Sequence, residues 1–260
     1  MLGAIVGDIV GSVYEHNNHR SKLFPLFKET SHFTDDSILT IATARALMTD
    51  RDFASKYRSY GAKYPAGYGG MFRHWIHDDS AGPYNSFGNG SAMRVSPVAW
   101  AFDTEEEVLA MAEATAQVTH NHPEGVKGAQ ATALAILWAR QGKTREQIVS
   151  DIETTFGYDI STPVDEIRKF YEFDVTCQGT VPEAIRCFLE AEDFEDAIRN
   201  AISIGGDSDT IAAITGSMAE AKWGVPEEIR REALGRISAE LFDTYKSFMA
   251  RVESGNEAMS

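Results

Sequence analysis

This 260-residue chain is short of cysteine, of positive charge and of long apolar runs, and each shortage removes a class of function. Its two cysteines, Cys177 and Cys187, show neither CxxC nor zinc-ligand spacing. That excludes a disulfide-stapled scaffold or thiolate metal site and leads us to expect a reducing, cytoplasmic setting. Lys and Arg number 24 against 39 Asp and Glu, a formal net charge of −15. Nucleic acids and anionic membranes are gripped by basic patches, so neither is an expected partner. No stretch approaches the roughly 18 continuous apolar residues of a membrane span. Gly3, Gly7 and Asp8 stand where a secretory signal would carry basic residues and then an unbroken apolar run. Alternating apolar–polar segments are also nearly missing, as is any strand–turn–helix nucleotide motif. Helix-period patterning fills the chain instead, with 43% hydrophobic residues to build a core. The expectation is one all-α domain spanning residues 1–260, without internal repeats, and a monomer.

The distinctive chemistry lies in paired acids. Gly205-Gly206-Asp207-Ser208-Asp209-Thr210 opens a helix with Ile211, Ile214, Met218 and Ala221 at helical spacing. Thr34-Asp35-Asp36 opens another, expected to run to about Met48. Acids are ordinary first-turn residues, and each stretch alone fits that plain role. Together they raise a different question. If the two helix starts converge, four carboxylates meet, and two like charges roughly 4 Å apart at an effective dielectric near 20 repel by about 4 kcal/mol. A helix N-terminus returns only about 0.3–1 kcal/mol per acid. Hard divalent cations would hold such a cluster, and oxygen donors without cysteine suit magnesium, manganese or calcium.

The remaining segments read in order. Residues 2–15 form a buried helix, with Gly3, Gly7 and Gly11 admitting a second helix and Asp8, Ser12 and Glu15 on one polar face. Residues 16–33 form a loop. Helices follow at about 52–62, after the glycine-rich turn Pro65–Gly70 through Trp75, and from Gly88-Asn89-Gly90-Ser91 until an interruption at Pro97. A Thr104/Glu107 capping box opens a helix over 104–118, Pro123 opens one to about 141, and Thr144/Gln147 opens one to Phe156. Residues 157–180 are irregular apart from a short helix near 163–171. Pro182 opens a helix to Ala191, a further one spans 193–203, and 226–252 hold one or two amphipathic helices.

In order along the chain, Gly7-Asp8, Gly11-Ser12 with Tyr14-Glu15, Phe33-Thr34-Asp35-Asp36, Gly88-Asn89-Gly90-Ser91-Ala92-Met93-Arg94, Thr119-His120 and Gly205–Thr210 resemble the ADP-ribosylglycohydrolases. That family includes dinitrogenase-reductase-activating and ADP-ribosylarginine hydrolases. Glu220 stands where relatives often have glycine, a departure expected to affect packing more than chemistry. The resemblance implies a compact orthogonal helical bundle with a central binuclear metal cleft. It implies two divalent cations, Mg or Mn, held by Thr34, Asp35, Asp36, Asp207, Asp209 and Thr210. Glu15, Asp35, Asp36 and Asp209 become the catalytic candidates, with Glu15 as acid/base or metal-switching carboxylate. Gly69, Gly70, Asn89, Gly90, Ser91, Met93 and His120 become substrate-binding candidates. The implied activity is hydrolysis of the N- or O-glycosidic bond of an ADP-ribosylated protein or small ADP-ribose adduct.

Two alternatives stay open at the level of sequence. His74, His77-Asp78, His120 and His122 invite an all-helical His-Asp metal phosphohydrolase, although that leaves Thr34-Asp35-Asp36 without a role. A non-catalytic ADP-ribose-binding relative is the other. The leaving group, whether arginine, serine, nucleobase or a small molecule, is not written in the motifs.

Overall fold

A computed structural model describes residues 1–255, which form fifteen helices and no sheet. The chain begins with α1 (Leu2–Gly11) and, after a long loop, α2 (Asp35–Leu47) and α3 (Phe53–Lys63). The short helices α4 (Gly70–Trp75), α5 (Gly90–Met93) and α6 (Val98–Ala101) precede α7 (Glu105–Gln117) and α8 (Pro123–Arg140). Then come α9 (Arg145–Phe156), α10 (Val164–Phe170), α11 (Cys177–Glu190), α12 (Phe194–Ser203), α13 (Ser208–Trp223), α14 (Glu227–Leu234) and α15 (Ala239–Glu253).

The organising contact joins α1 to α13. All ten residues of α1 are buried, and α13 also packs on α8, α11 and α12. The glycines repeated every fourth residue of α1 lie directly on the α13 backbone. A Cβ on Gly3 would stand 1.9 Å from the Gly216 carbonyl oxygen, one on Gly7 2.0 Å from that of Ala212, and one on Gly11 2.3 Å from the Asp209 Cα. Side chains are thus sterically excluded along the seam, which explains three glycines in a helix where each costs about 1 kcal/mol against alanine. At the far end, the Glu220 carboxylate accepts from the Met1 amino group at 2.5 Å and from the Gly3 amide at 2.7 Å. Glu220 therefore serves as a cap for α1, satisfying donors that the first helical turn leaves free.

Three local expectations are corrected. The first helix stops at Gly11 rather than residue 15; the chain then turns, with the Tyr14 amide bonded to the Gly11 carbonyl and the Tyr14 and Glu15 carbonyls taken by Asn18. Helix α11 starts five residues before Pro182, because Thr176 caps it by accepting from the Gly179 amide. Pro182 sits inside that helix, where its missing N–H leaves one i−4 carbonyl without its usual donor. The capping box at Thr104 is only half made: the hydroxyl accepts from the Glu107 amide but donates to the Glu107 carboxylate, whereas Thr144 and Gln147 form both reciprocal bonds.

Candidate active site

The starts of α2 and α13 meet over the middle of α1. Asp8, fully buried on α1, accepts from the Thr34 amide at 2.9 Å, the Thr34 hydroxyl at 2.5 Å, the Ser37 amide at 3.1 Å and the Ser37 hydroxyl. It thereby caps α2 from another helix, a task that the N-cap Thr34 does not perform with its own side chain. From α13, the Thr210 hydroxyl donates to Asp36 Oδ2 at 3.3 Å. Gly205 and Gly206, both with positive φ near 75°, turn the chain into α13. The Gly206 peptide is clamped on both sides by Asn18, whose Nδ2 donates to its carbonyl and whose Oδ1 accepts from its amide.

This convergence gathers six acids. Asp8, Asp36 and Asp209 form one group, and Glu15, Asp207 and Asp209 another; within each group one oxygen per residue lies within 4.8 Å of the others. Asp209 is common to both. Burial pushes every member up, and repulsion from neighbouring acids adds to it at Glu15, Asp35, Asp36 and Asp209. Desolvation and then the Asp8 charge raise Asp35 to about 7. Asp36 and Asp209 rise well above the usual carboxyl range, through burial first and neighbouring acids second. Asp8 and Asp207 are raised by burial against the pull of their hydrogen bonds, and Glu15 by burial and the nearby Asp207. Asp36 Oδ1 is buried with no hydrogen-bond partner, so an acceptor oxygen stands without a donor among like charges. Carboxylates and threonine hydroxyls make a hard donor set. Together with the orphaned oxygen they fit divalent cations of the magnesium and manganese type.

The acids border a cleft of about 490 Å³. Its lining contains all but one of the expected residues: Glu15, Thr34, Asp35, Asp36, Gly69, Gly70, Asn89, Gly90, Met93, His120, Asp207, Asp209 and Thr210. Ser91 is the exception, fully buried with its hydroxyl donated to the Gly125 carbonyl at 2.7 Å. Asn89 faces the acids rather than open space. Its Nδ2 donates to Asp207 Oδ2 at 2.7 Å and to the Thr180 hydroxyl at 3.1 Å, which makes it a support for Asp207. His120 is 5% exposed, and burial followed by the Arg94 charge lowers it well below the usual histidine range, so the ring is neutral.

The other histidines do not gather. His74 bonds the Gly70 carbonyl, Asp78 caps the turn at Ser80, and His122 caps α8 through Nδ1. Among the described residues neither metal-competent group contains a histidine, so the His-Asp phosphohydrolase reading lacks its ligand set. Sequence reasoning gave no site role to Arg94, Tyr84, Phe173 or Val175, which also line the cleft. Arg94 closes the Gly88–Arg94 motif and was legible there; Phe173 and Val175 lie in an irregular segment without periodicity or motif.

A sequence model of the ADP-ribosylglycohydrolase family matches residues 1–256. The ADP-ribosylhydrolase ARH3 of Mus musculus is 27% identical, over 90% of this chain and 86% of the relative. ARH3 of Homo sapiens is 26% identical, over 90% and 88%. The ADP-ribosylarginine hydrolase Tri1 of Pseudomonas putida strain GB-1 is 24% identical, over 94% and 76%. A solved ADP-ribosylglycohydrolase-related protein complex contains a chain with the same fold, at a TM-score of 0.70 and 23% identity, covering 100% of this chain and 97% of that one.

Proposed function

The chain belongs to the ADP-ribosylglycohydrolase family, and on that premise we propose that it hydrolyses the glycosidic bond joining the ribose of ADP-ribose to a protein or small-molecule acceptor, with two Mg or Mn ions. The observation that carries this reading is the pair of carboxylate groups sharing Asp209 at the floor of a glycine-rimmed cleft. Thr34, Asp35, Asp36, Asp207, Asp209 and Thr210 would hold the cations. When bound, these ions would supply Lewis acidity, ordering the ribose hydroxyls and a water beside the anomeric carbon. They would also invert the local field in a chain of net charge −15, so that an anionic nucleotide can enter.

The protein's own groups would do the rest. Asp8 holds Thr34 and Ser37, fixing the start of α2. Its acceptance of the Thr34 proton leaves the hydroxyl oxygen free to ligate. Asn89 holds Asp207. Glu15, raised above the ordinary carboxyl range by burial and by Asp207, is the carboxyl placed to move a proton when the glycosidic bond opens through a transition state resembling an oxocarbenium ion. The open backbone at Gly69 and Gly70, where an added Cβ would meet nothing within 4 Å, leaves room for the diphosphate. Two buried, free cysteines fit work in a reducing, cytoplasmic setting.

A panel of defined adducts linked through arginine, serine, nucleobase or small alcohol, incubated with and without magnesium or manganese, tests the proposal. Metal-dependent release of ADP-ribose from at least one is expected. Binding of ADP-ribose without release from any adduct would identify a non-catalytic relative instead.

A further inference from the structure

Arg94 borders the same cleft, fully buried, and takes part in no ion pair among the described residues. Its Nη2 donates to the Thr115 carbonyl at 3.0 Å and to Thr119 Oγ1 at 2.8 Å. Its Nε and Nη1 have no hydrogen-bond partner, and the guanidinium lies 4.1 Å from the centre of the Tyr57 ring. A buried cation without a counter-charge is costly, which calls for a task.

Thr119 shows what that task is. Its oxygen is 2.7 Å from His120 Nδ1. A hydroxyl has one proton and two lone pairs. Arginine can only donate, so Arg94 takes a lone pair, and its charge orients the hydroxyl dipole with oxygen towards it and hydrogen away. Thr119 is fully buried, and among the described residues its hydroxyl bonds only Arg94 and His120, so its proton has one acceptor, Nδ1. The single proton of the neutral ring is then on Nε2. That nitrogen adjoins the glycine loop: a Cβ on Gly90 would be 3.3 Å from it, and one on Gly88 3.6 Å.

We infer that Arg94, acting through Thr119, is a positioning residue that fixes His120 in its Nε2–H tautomer, so that the cleft presents a standing hydrogen-bond donor to a phosphate or ribose oxygen. The tautomer follows from the hydrogen-bond geometry around a neutral ring; the identity of the recipient rests on the functional reading above. With the proton on Nδ1, the ring would turn a lone pair towards the substrate oxygen, and that bond would become a repulsion.

Heteronuclear NMR of the ring nitrogens in protein labelled at histidine tests this directly. In the parent, His120 should show a protonated Nε2 and a bare Nδ1. Thr119→Val keeps the shape and removes the hydroxyl. It should release the tautomer, giving mixed ring-nitrogen signals, and weaken ADP-ribose binding, measured by calorimetry, by about two-fold, as the competent tautomer falls to about half of the population. Thr119→Ser should restore both. A parent His120 protonated on Nδ1 would overturn the assignment even if the valine variant failed to fold. So would a folded valine variant with the parent's tautomer and affinity. A parent with the expected tautomer but no affinity for ADP-ribose would sink the functional reading and leave the tautomer assignment standing.

Discussion

Replacing Asp209 with asparagine should make the protein more stable without metal and less stable with it. Asp209 offers an oxygen to both carboxylate groups, within 4.8 Å of the others in each. At that distance and an effective dielectric near 20, two unit charges repel by about 3.5 kcal/mol. Burial first, and at Asp35, Asp36 and Asp209 this repulsion second, hold the acids in their protonated form to higher pH. The sign follows from linkage. A carboxyl whose folded pKa lies above its unfolded value supports the fold at low pH, and that support is lost as pH rises through the folded pKa. Asp209 is raised well above 3.8 by burial, then by Asp36 and Asp207. Its neighbour Asp35, at about 7 instead of 3.8, alone weakens the fold by on the order of 4 kcal/mol once fully ionised. In chelator, parent stability should therefore fall from pH 5 to pH 8. Asp209→Asn keeps the shape, removes one charge and adds a donor among acceptors, so at pH 8 in chelator it should exceed the parent by about 1–4 kcal/mol. At pH 5 the gap should narrow. Magnesium or manganese should reverse the order, because the parent gains about 2.7 kcal/mol at a hundred times the dissociation constant and the variant little. Urea unfolding followed by circular dichroism, at both pH values with chelator or millimolar metal, measures each term. A variant weaker than the parent in chelator at pH 8, or an order indifferent to metal, refutes the electrostatic reasoning.

Glu15→Gln should stay folded and retain at least one cation by calorimetry, yet release ADP-ribose about 10²–10⁴-fold more slowly in single turnover; parental turnover would reduce Glu15 to a structural polar residue. Gly7→Ala should destabilise by about 1–3 kcal/mol in denaturant titration despite the better helix propensity of alanine. Its Cβ must move from 2.0 Å to the 3.4 Å of ordinary contact with the Ala212 carbonyl, which separates α1 from α13, so equal or greater stability would contradict the close seam.

What could be read in advance was what repeats or pairs locally. The spacing of Gly3, Gly7 and Gly11 announced a helix lying against α1, and α13 occupies that place. The acids of Thr34–Asp36 and Asp207–Asp209 announced two helix starts; their meeting stood only as a condition, which the Thr210–Asp36 bond fulfils. Long-range partners were less legible. Asp8 read as part of a polar stripe, but its bonds to Thr34 and Ser37 depend on a helix 26 and 29 residues away. Asn89 became a substrate-binding candidate through the family resemblance of its segment; its bond to Asp207 crosses 118 residues. The α1 terminus was misjudged because apolar periodicity continues through Val13, and hydrophobic pattern does not see that the chain turns where Asn18 claims its carbonyls. Pro182 misled in the opposite way, since a proline usually marks a helix start and here Thr176 supplies a stronger one.

The glycine seam has a further consequence, in the order of assembly. Gly3 and Glu220 are separated by 217 positions, so α1 leaves the ribosome long before α13 exists. Until then a helix destined for complete burial has no surface to cover it, and closing so long a loop is slow. The acids follow the same schedule. Asp8, Asp35 and Asp36 are synthesised early, but the shared Asp209 arrives with α13, so the nascent chain cannot complete its cation cluster until most of it has been made. Maturation of the site and closure of the fold are therefore one event, and the interval before it is when α1 would depend on a chaperone to remain out of aggregates.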